Sequence, residues 1–239
     1  GGSEAPAGTS RVNENAPVVF MIGDSTMKNG SGRGDGNQWG WGSFFDWFFD
    51  TNRISIENYA LGGRSSRTFY TEGLWDKVLS GIKKGDYLFV QFGHNDGGPL
   101  NTGRARASLK GIGNESETVI MERHGGPEEV FSFGHYLRIY VRQAKARGAN
   151  VILLSHTPGN SWTGNRMNRN DQTYGLWTKQ MEQEEAVPFF DLTDITARQF
   201  SAMGKEATRA SLKDRVNTTL GGAIMNCKSA IEGMEQFKD

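Results

Sequence analysis

The chain has 239 residues, enough for one substantial domain with a buried core, and its 27 basic and 27 acidic side chains cancel to a formal net charge of zero. That balance removes the electrostatic argument for a nucleic-acid or membrane-surface partner, and no apolar run approaches the roughly 20 residues that span a bilayer. A lone cysteine, Cys227, excludes an intrachain disulfide and leaves the redox compartment open.

Residues 1–16 are small and polar and read as a flexible leader, with Gly1-Gly2-Ser3 a processing or cloning remnant. A single domain is expected over 17–239, since no internal repeat, linker or second apolar centre interrupts the chain. The first strand is predicted from Pro17 to Ile22. Its apolar run stops abruptly at Gly23-Asp24-Ser25-Thr26, as a buried strand does when it delivers a hydroxyl to the edge of a parallel sheet. A loop from Asn29 to Gly36 alternates glycines but lacks the Gly-Lys-Ser/Thr of a phosphate cradle, so it reads as a surface loop. Trp41, Phe44, Phe45, Phe48 and Phe49 recur at helical spacing and predict an aromatic helix over 39–50.

A second strand is predicted over 53–59, ending in Gly62-Gly63-Arg64-Ser65, and a helix over 71–83 with Gly85 as its cap. Strand three, 87–92, ends in Gly93-His94-Asn95-Asp96. Residues 99–127 show no periodicity and read as a long functional loop. Helix 128–147 carries Val130, Phe133, Leu137, Val141 and Ala144 on one face. Strand four, 149–155, ends in His156-Thr157-Pro158. Helix 171–185, strand five (187–192), a helical stretch 194–204 and a last helix 219–237 complete the chain. Apolar strands alternating with helices predict a three-layer α/β/α sandwich around a five-stranded parallel sheet.

The special tetrapeptides all sit at predicted strand ends, which this architecture gathers at one crevice. Ser25 supplies a hydroxyl there, Gly63 a backbone N–H that a ligand can approach closely, and Asn95 a neutral amide donor. Nucleophile plus convergent donors is the set that acyl transfer needs.

Gly23-Asp24-Ser25-Thr26-Met27, Gly63-Arg64-Ser65-Ser66-Arg67 and Phe92-Gly93-His94-Asn95-Asp96-Gly97-Gly98 resemble the GDSL/SGNH hydrolase superfamily, whose blocks centre on Ser, Gly, Asn and His. Within it, the extended strings are similar to the rhamnogalacturonan acetylesterase family of carbohydrate esterases. The resemblance implies a flavodoxin-like sheet, no metal or other cofactor, and removal of acetyl groups from pectic rhamnogalacturonan. It implies Ser25 as nucleophile, Ser25, Gly63 and Asn95 as oxyanion donors, and Asp214 as the acid that orients a histidine. The histidine itself is absent: the family's Asp-x-x-His reads here Asp214-Arg215-Val216-Asn217. An amide cannot take the serine proton, so a rate loss of about 10³–10⁶ is expected. Asn217 is an engineered substitution, the mark of a natural sugar-binding pseudoenzyme, or a position whose work another histidine has taken over.

Of the four histidines only His156, at a strand end, is placed to substitute or to contact substrate; His94 is expected to point away as a structural hydrogen-bonder. No histidine pair has metal-ligand spacing, so no metal is expected. An acidic glycan calls for cations: Arg64 and Arg67 flank the Gly63 turn, with Lys28, Arg33, Arg104 and Arg106 in loops near the same face. Trp39, Trp41 and Trp162 are candidates to stack on sugar rings. The expected partner is an acetylated polysaccharide or oligosaccharide, the expected state a monomer, and the expected location secreted or periplasmic. Acetylated xylan or a lipid ester stands as the alternative substrate.

Overall fold

The computed structural model describes residues 10–28 and 38–235; residues 1–9, the glycine-rich stretch with Arg33, and 236–239 lie outside the described residues. In chain order the strands are β1 (Val18–Gly23), β2 (Ser55–Asn58), β3 (Tyr87–Gln91), β4 (Ser116–Ile120), β5 (Pro127–Phe131), β6 (Asn150–Leu154), β7 (Trp162–Thr163), β8 (Arg166–Met167) and β9 (Phe189–Phe190). The α-helices are α1 (Ser66–Thr71), α2 (Leu74–Gly81), α3 (Phe133–Ala146), α4 (Tyr174–Glu185), α5 (Leu192–Met203), α6 (Lys205–Thr208) and α7 (Leu220–Met234). Two 3₁₀ helices span Trp41–Phe48 and Arg209–Ser211.

Side-chain alternation along the buried strands builds the three layers. Val18, Phe20 and Ile22 of β1 point into one core with Phe69 of α1, Trp75 and Val78 of α2, and Phe133, Tyr140 and Ala144 of α3. Val19 and Met21 point the opposite way, against Trp41 and Phe45 of the first 3₁₀ helix and Ala223, Cys227 and Ala230 of α7. Leu88/Val90 and Phe89 of β3, and Val151/Leu153 and Ile152/Leu154 of β6, divide in the same manner. Each fully buried large side chain contributes about 1.5–3 kcal/mol. The five-stranded parallel sheet runs β2-β1-β3-β6-β9. Strand order reverses at β1/β3, so the carboxyl ends of these two strands form the crevice in which such sheets bind ligands.

Several elements depart from the sequence-based expectation. The aromatic helix is a 3₁₀ helix. The helix expected over 71–83 is two, because Gly73 takes φ 78° and breaks the run, and α1 begins earlier on a capping box between Ser65 and Thr68. The long loop contains β4. It pairs antiparallel with β5, whose residues were expected to open helix 128–147; α3 starts instead where the Ser132 hydroxyl caps the His135 N–H. Residues 10–16, expected to be loose, are anchored. The Arg11 guanidinium grips both Asp86 oxygens at 2.6 Å, and the same carboxylate accepts the N–H of Val18 at the start of β1.

Candidate functional site

At the carboxyl ends of β1, β2 and β3 lies a cleft of about 820 Å³ whose wall includes Ser25, Gly62, Gly63, Arg64, His94, Asn95, Asp214 and Asn217. Ser25 follows directly from β1. Its neighbour Asp24 is buried and closes the turn by accepting the Thr26 N–H (2.8 Å) and hydroxyl (2.6 Å) on Oδ1. The Thr26 hydroxyl in turn accepts from Gln91, whose Oε1 takes the Trp41 indole N–H at 2.7 Å. The strand end is therefore locked from below.

The Ser25 hydroxyl donates to Asn217 Oδ1 at 2.8 Å. Asn217 Nδ2 donates to Asp214 Oδ2 at 3.1 Å, and the Asn217 and Val216 N–H groups donate to Asp214 Oδ1 at 2.7 and 2.9 Å. A continuous hydroxyl–amide–carboxylate chain results. Partial burial acts to raise the Asp214 carboxyl, but these donors outweigh it and hold it below the ordinary carboxylate range. The turn carrying Asn217 is fixed on two sides: Trp39 pairs with Thr218 through main-chain and hydroxyl bonds, and the Asn160 N–H reaches the Arg215 carbonyl.

Gly63 has φ 75°, a left-handed conformation that favours glycine, and a Cβ there would sit 2.8 Å from an Arg104 guanidinium nitrogen and push that side chain aside. The Asn95 amide gives one hydrogen to the Arg64 carbonyl at 2.9 Å, which ties the β3 end to the Gly63 turn and leaves its second hydrogen for the cleft. Asp96, buried behind Asn95, accepts the Ser66 N–H and hydroxyl and the Ser108 hydroxyl. Burial pushes both Asp24 and Asp96 up to about 6, against the pull of these hydrogen bonds.

The cleft is cationic. Arg64 lines it paired to Glu72 at 3.0 Å, and Arg104, Arg106, Arg123 and Arg215 line it without an ion pair to a described residue. Arg104 and Arg106 thus lie where the sequence placed them. Arg123 arrives on the β4–β5 turn, inside a segment with no sequence periodicity, and Arg215 sits inside the family's Asp-x-x-His block.

Arg67 does not reach the cleft. It is 0% exposed and donates to the Leu100 and Ala107 carbonyls and to Glu128, so it is a framework cation. Trp41 is also 0% exposed and belongs to the core. Trp39 packs on Phe44 and braces the Asn217 turn, and Trp162 packs in a small cluster with Met167 and Phe200; neither forms part of the cleft wall. Lys28 reaches back to the Asn58 carbonyl. The two strand-end histidines exchange places relative to expectation. His94 lines the cleft, bonded to the Thr157 hydroxyl, and His156 is buried behind it, ring to ring at 5.2 Å, with Nδ1 on the Thr157 carbonyl. Burial first, then the charge of His156, lowers His94 to about 3, so it is neutral and a very weak base at neutral pH. Among the described residues no group of His, Cys, Asp and Glu could hold a metal ion, and no helix is long and apolar enough to cross a membrane.

The fold and cleft together define an open α/β sandwich that presents a serine hydroxyl, amide donors and a carboxylate at its switch point. Residues 21–215 match the GDSL-like lipase/acylhydrolase family, and the chain belongs to that family; the match stops just short of Asn217. The chain is similar to the rhamnogalacturonan acetylesterase of Emericella nidulans, 30% identical over 210 residues (87% of this chain, 80% of that one). It is similar too to the probable rhamnogalacturonan acetylesterase YesY of Bacillus subtilis, 28% identical over 226 residues (92% and 93%). Among solved structures it superposes on the YxiM protein of Bacillus subtilis with a TM-score of 0.74 at 22% identity, covering 93% of this chain but 57% of that one. It superposes on an acetylxylan esterase from Geobacillus stearothermophilus with a TM-score of 0.54 at 16% identity, covering 91% and 94%.

Proposed function

We propose that this chain is the framework of a carbohydrate acetylesterase acting on acetylated pectic rhamnogalacturonan, with turnover suppressed by the amide at position 217. The observation that carries the reading is the unbroken Ser25–Asn217–Asp214 hydrogen-bond chain beside Gly63 and Asn95. With an imidazole at 217, the base takes the Ser25 proton as Oγ attacks the acetyl carbonyl. The Ser25 and Gly63 N–H groups and the Asn95 amide bind the oxyanion. The sugar oxygen leaves with the proton, and water then releases acetate from the acetyl-serine by the same steps. Asn217 reproduces the geometry but not the basicity, so the hydroxyl is held and stays protonated.

The identity of the substrate is supported by the polar, cationic wall, which suits uronate carboxylates and offers no apolar slot for an acyl chain, and by the names of the relatives. The test is acetate release by the Asn217→His variant from acetylated rhamnogalacturonan and acetylated xylan oligosaccharides. Turnover that appears and favours the pectic substrate supports the reading; preference for xylan overturns the substrate. An inactive, folded variant that still binds pectic oligosaccharides points to a binding protein instead.

A further inference from the structure

One side of the cleft is built from residues 101–106 and the turn between β4 and β5, and the two are fastened together. Glu122 accepts the Gly103 N–H on Oε2 at 3.3 Å and gives its own N–H to the Asn101 carbonyl at 3.0 Å, while Asn101 Nδ2 reaches the Ile120 carbonyl at 3.1 Å. Arg104 and Arg123 each follow directly on this staple, and both line the cleft. Ala105 and Ala107 are buried, whereas Arg104 is exposed and Arg106 half-buried.

Two guanidinium groups meet at the Gly63 turn. A Cβ on Gly63 would lie 2.8 Å from Arg104 Nη1 and 3.6 Å from Arg106 Nη1, so both groups stand within 3.6 Å of one point. Burial first, and then the charge of Arg104, act to lower the Arg106 guanidinium from its ordinary value. Arg106 donates to the Gly63 carbonyl at 3.2 Å, but the side chains of Arg104 and Arg123 have no hydrogen bond or ion pair to a described residue. Among the described residues, the acids of the wall already have donors: Glu72 is bonded to Arg64, Glu128 to Arg67, and Asp214 to Asn217 and Val216. Like charges held together without a counter-ion repel, and an anion arriving from solvent relieves that repulsion.

We propose that Arg104 is a specificity-determining residue: with Arg123 on the adjoining turn, it takes the free carboxylate of a uronate at or next to the acetylated sugar. The cleft then discriminates against the same glycan when that carboxyl is methyl-esterified. A carboxylate meets the planar guanidinium with two parallel charge-assisted hydrogen bonds, and a methyl ester loses both the charge and the fork. Because Arg104 stands at the Gly63 turn, the carboxylate it holds lies close to the acetyl group under attack. That carboxylate carries the same charge before and during acyl transfer, so the contact falls on KM and not on kcat. On a methylated glycan, hydrolysis of the carboxyl methyl esters must therefore precede this deacetylation.

The inference rests on the acidic-glycan esterase reading, and the experiment separates the two. The substrates are acetylated rhamnogalacturonan oligosaccharides with their carboxyls either free or methyl-esterified. In the Asn217→His background, kcat/KM is expected to be at least about 10-fold higher on the free acid, with the difference in KM. Arg104→Gln in that background is expected to bring the ratio to within about threefold of one. An active Asn217→His protein that treats both forms alike, or an Arg104→Gln derivative that keeps the preference, overturns the subsite and leaves the esterase reading intact. An Asn217→His protein inactive on both forms overturns the esterase reading. Calorimetric titration of the unsubstituted chain needs no turnover and decides the subsite in either case. Its Kd is expected to be about 10-fold lower for the free acid than for the methyl ester, with the ratio near one in Arg104→Gln. Equal affinities in the unsubstituted chain overturn the subsite.

Discussion

Asn217 accepts from the Ser25 hydroxyl and donates to Asp214, so all three side chains are satisfied and none is activated. Replacing it with histidine is expected to raise kcat on 4-nitrophenyl acetate by at least about 10³-fold, and Asp214→Asn added to that variant to remove a large part of the gain; a steady-state assay of the three proteins checks both. Asp24 carries a second consequence at this scale. Its carboxyl moves from 3.8 to about 6 on folding, chiefly through burial. An acid with a raised folded pKa favours the native state only while protonated, so stability from this group is present below about pH 4 and falls as pH rises to about 6. In Asp24→Asn the amide keeps the acceptor for Thr26 and gives up the charge. Its stability relative to the parent is therefore expected to be about 2 kcal/mol more favourable at pH 7 than at pH 4, measured by urea unfolding at the two values. The serine, glycine and asparagine were legible because each follows a predicted strand end, and the aspartate because Asp214-Arg215-Val216-Asn217 resembles the family's Asp-x-x-His block. His94 and His156 were not, because which of two neighbouring rings faces the cleft depends on backbone direction after β3 and β6, and sequence spacing does not encode that.

Arg67 shows what elements decide. Read along the chain it flanks the Gly63 turn and qualifies as a substrate cation. It lies in α1, and the direction of that short helix sends the guanidinium under the loop 100–107 and against Glu128 of β5. Arg67→Ala empties a buried site and leaves the partly exposed Glu128 and two carbonyls without their donor, and is expected to destabilise the fold by roughly 1–3 kcal/mol, read as a lowered urea midpoint. Arg123 was missed for a related reason. The β4–β5 hairpin that carries it has an exposed β4 with little alternation, so local pattern gave no strand signal. Its pairing comes from the partner strand. The aromatic helix was found but its type was not: Trp41, Phe44 and Phe45 satisfy either a 3₁₀ or an α period over so short a run.

Across the whole molecule, Arg11 and Asp86 join residues far apart in sequence beneath the sheet, opposite the cleft, with both side chains almost wholly buried. Burial acts to raise Asp86, and its bonds to Arg11, Lys83 and Val18 more than reverse this, leaving the carboxyl below its ordinary range. A depressed acid stabilises the fold above its unfolded pKa, and that stabilisation is lost as pH falls through the folded value. Arg11→Ala removes the main partner, so the variant is expected to unfold at a higher pH than the parent when titrated from about pH 6 towards pH 2, followed by circular dichroism.

What the sequence determined by itself is the periodic and the typed. Runs such as Val18–Ile22 and Tyr87–Phe92 announce buried parallel strands because hydrophobic alternation and burial are local consequences of side-chain order. Ser25, Gly63 and Asn95 announce a cleft because they follow predicted strand ends that a parallel sheet gathers together, and Asp214 joins them through the family resemblance. Tertiary structure alone decided which charges face the cleft, that Trp41 is core, and that Asn217 completes a hydrogen-bond chain from Ser25 to Asp214. Those outcomes depend on vectors between residues up to 192 positions apart in sequence, and such vectors exist only once the sheet has brought the strand ends together.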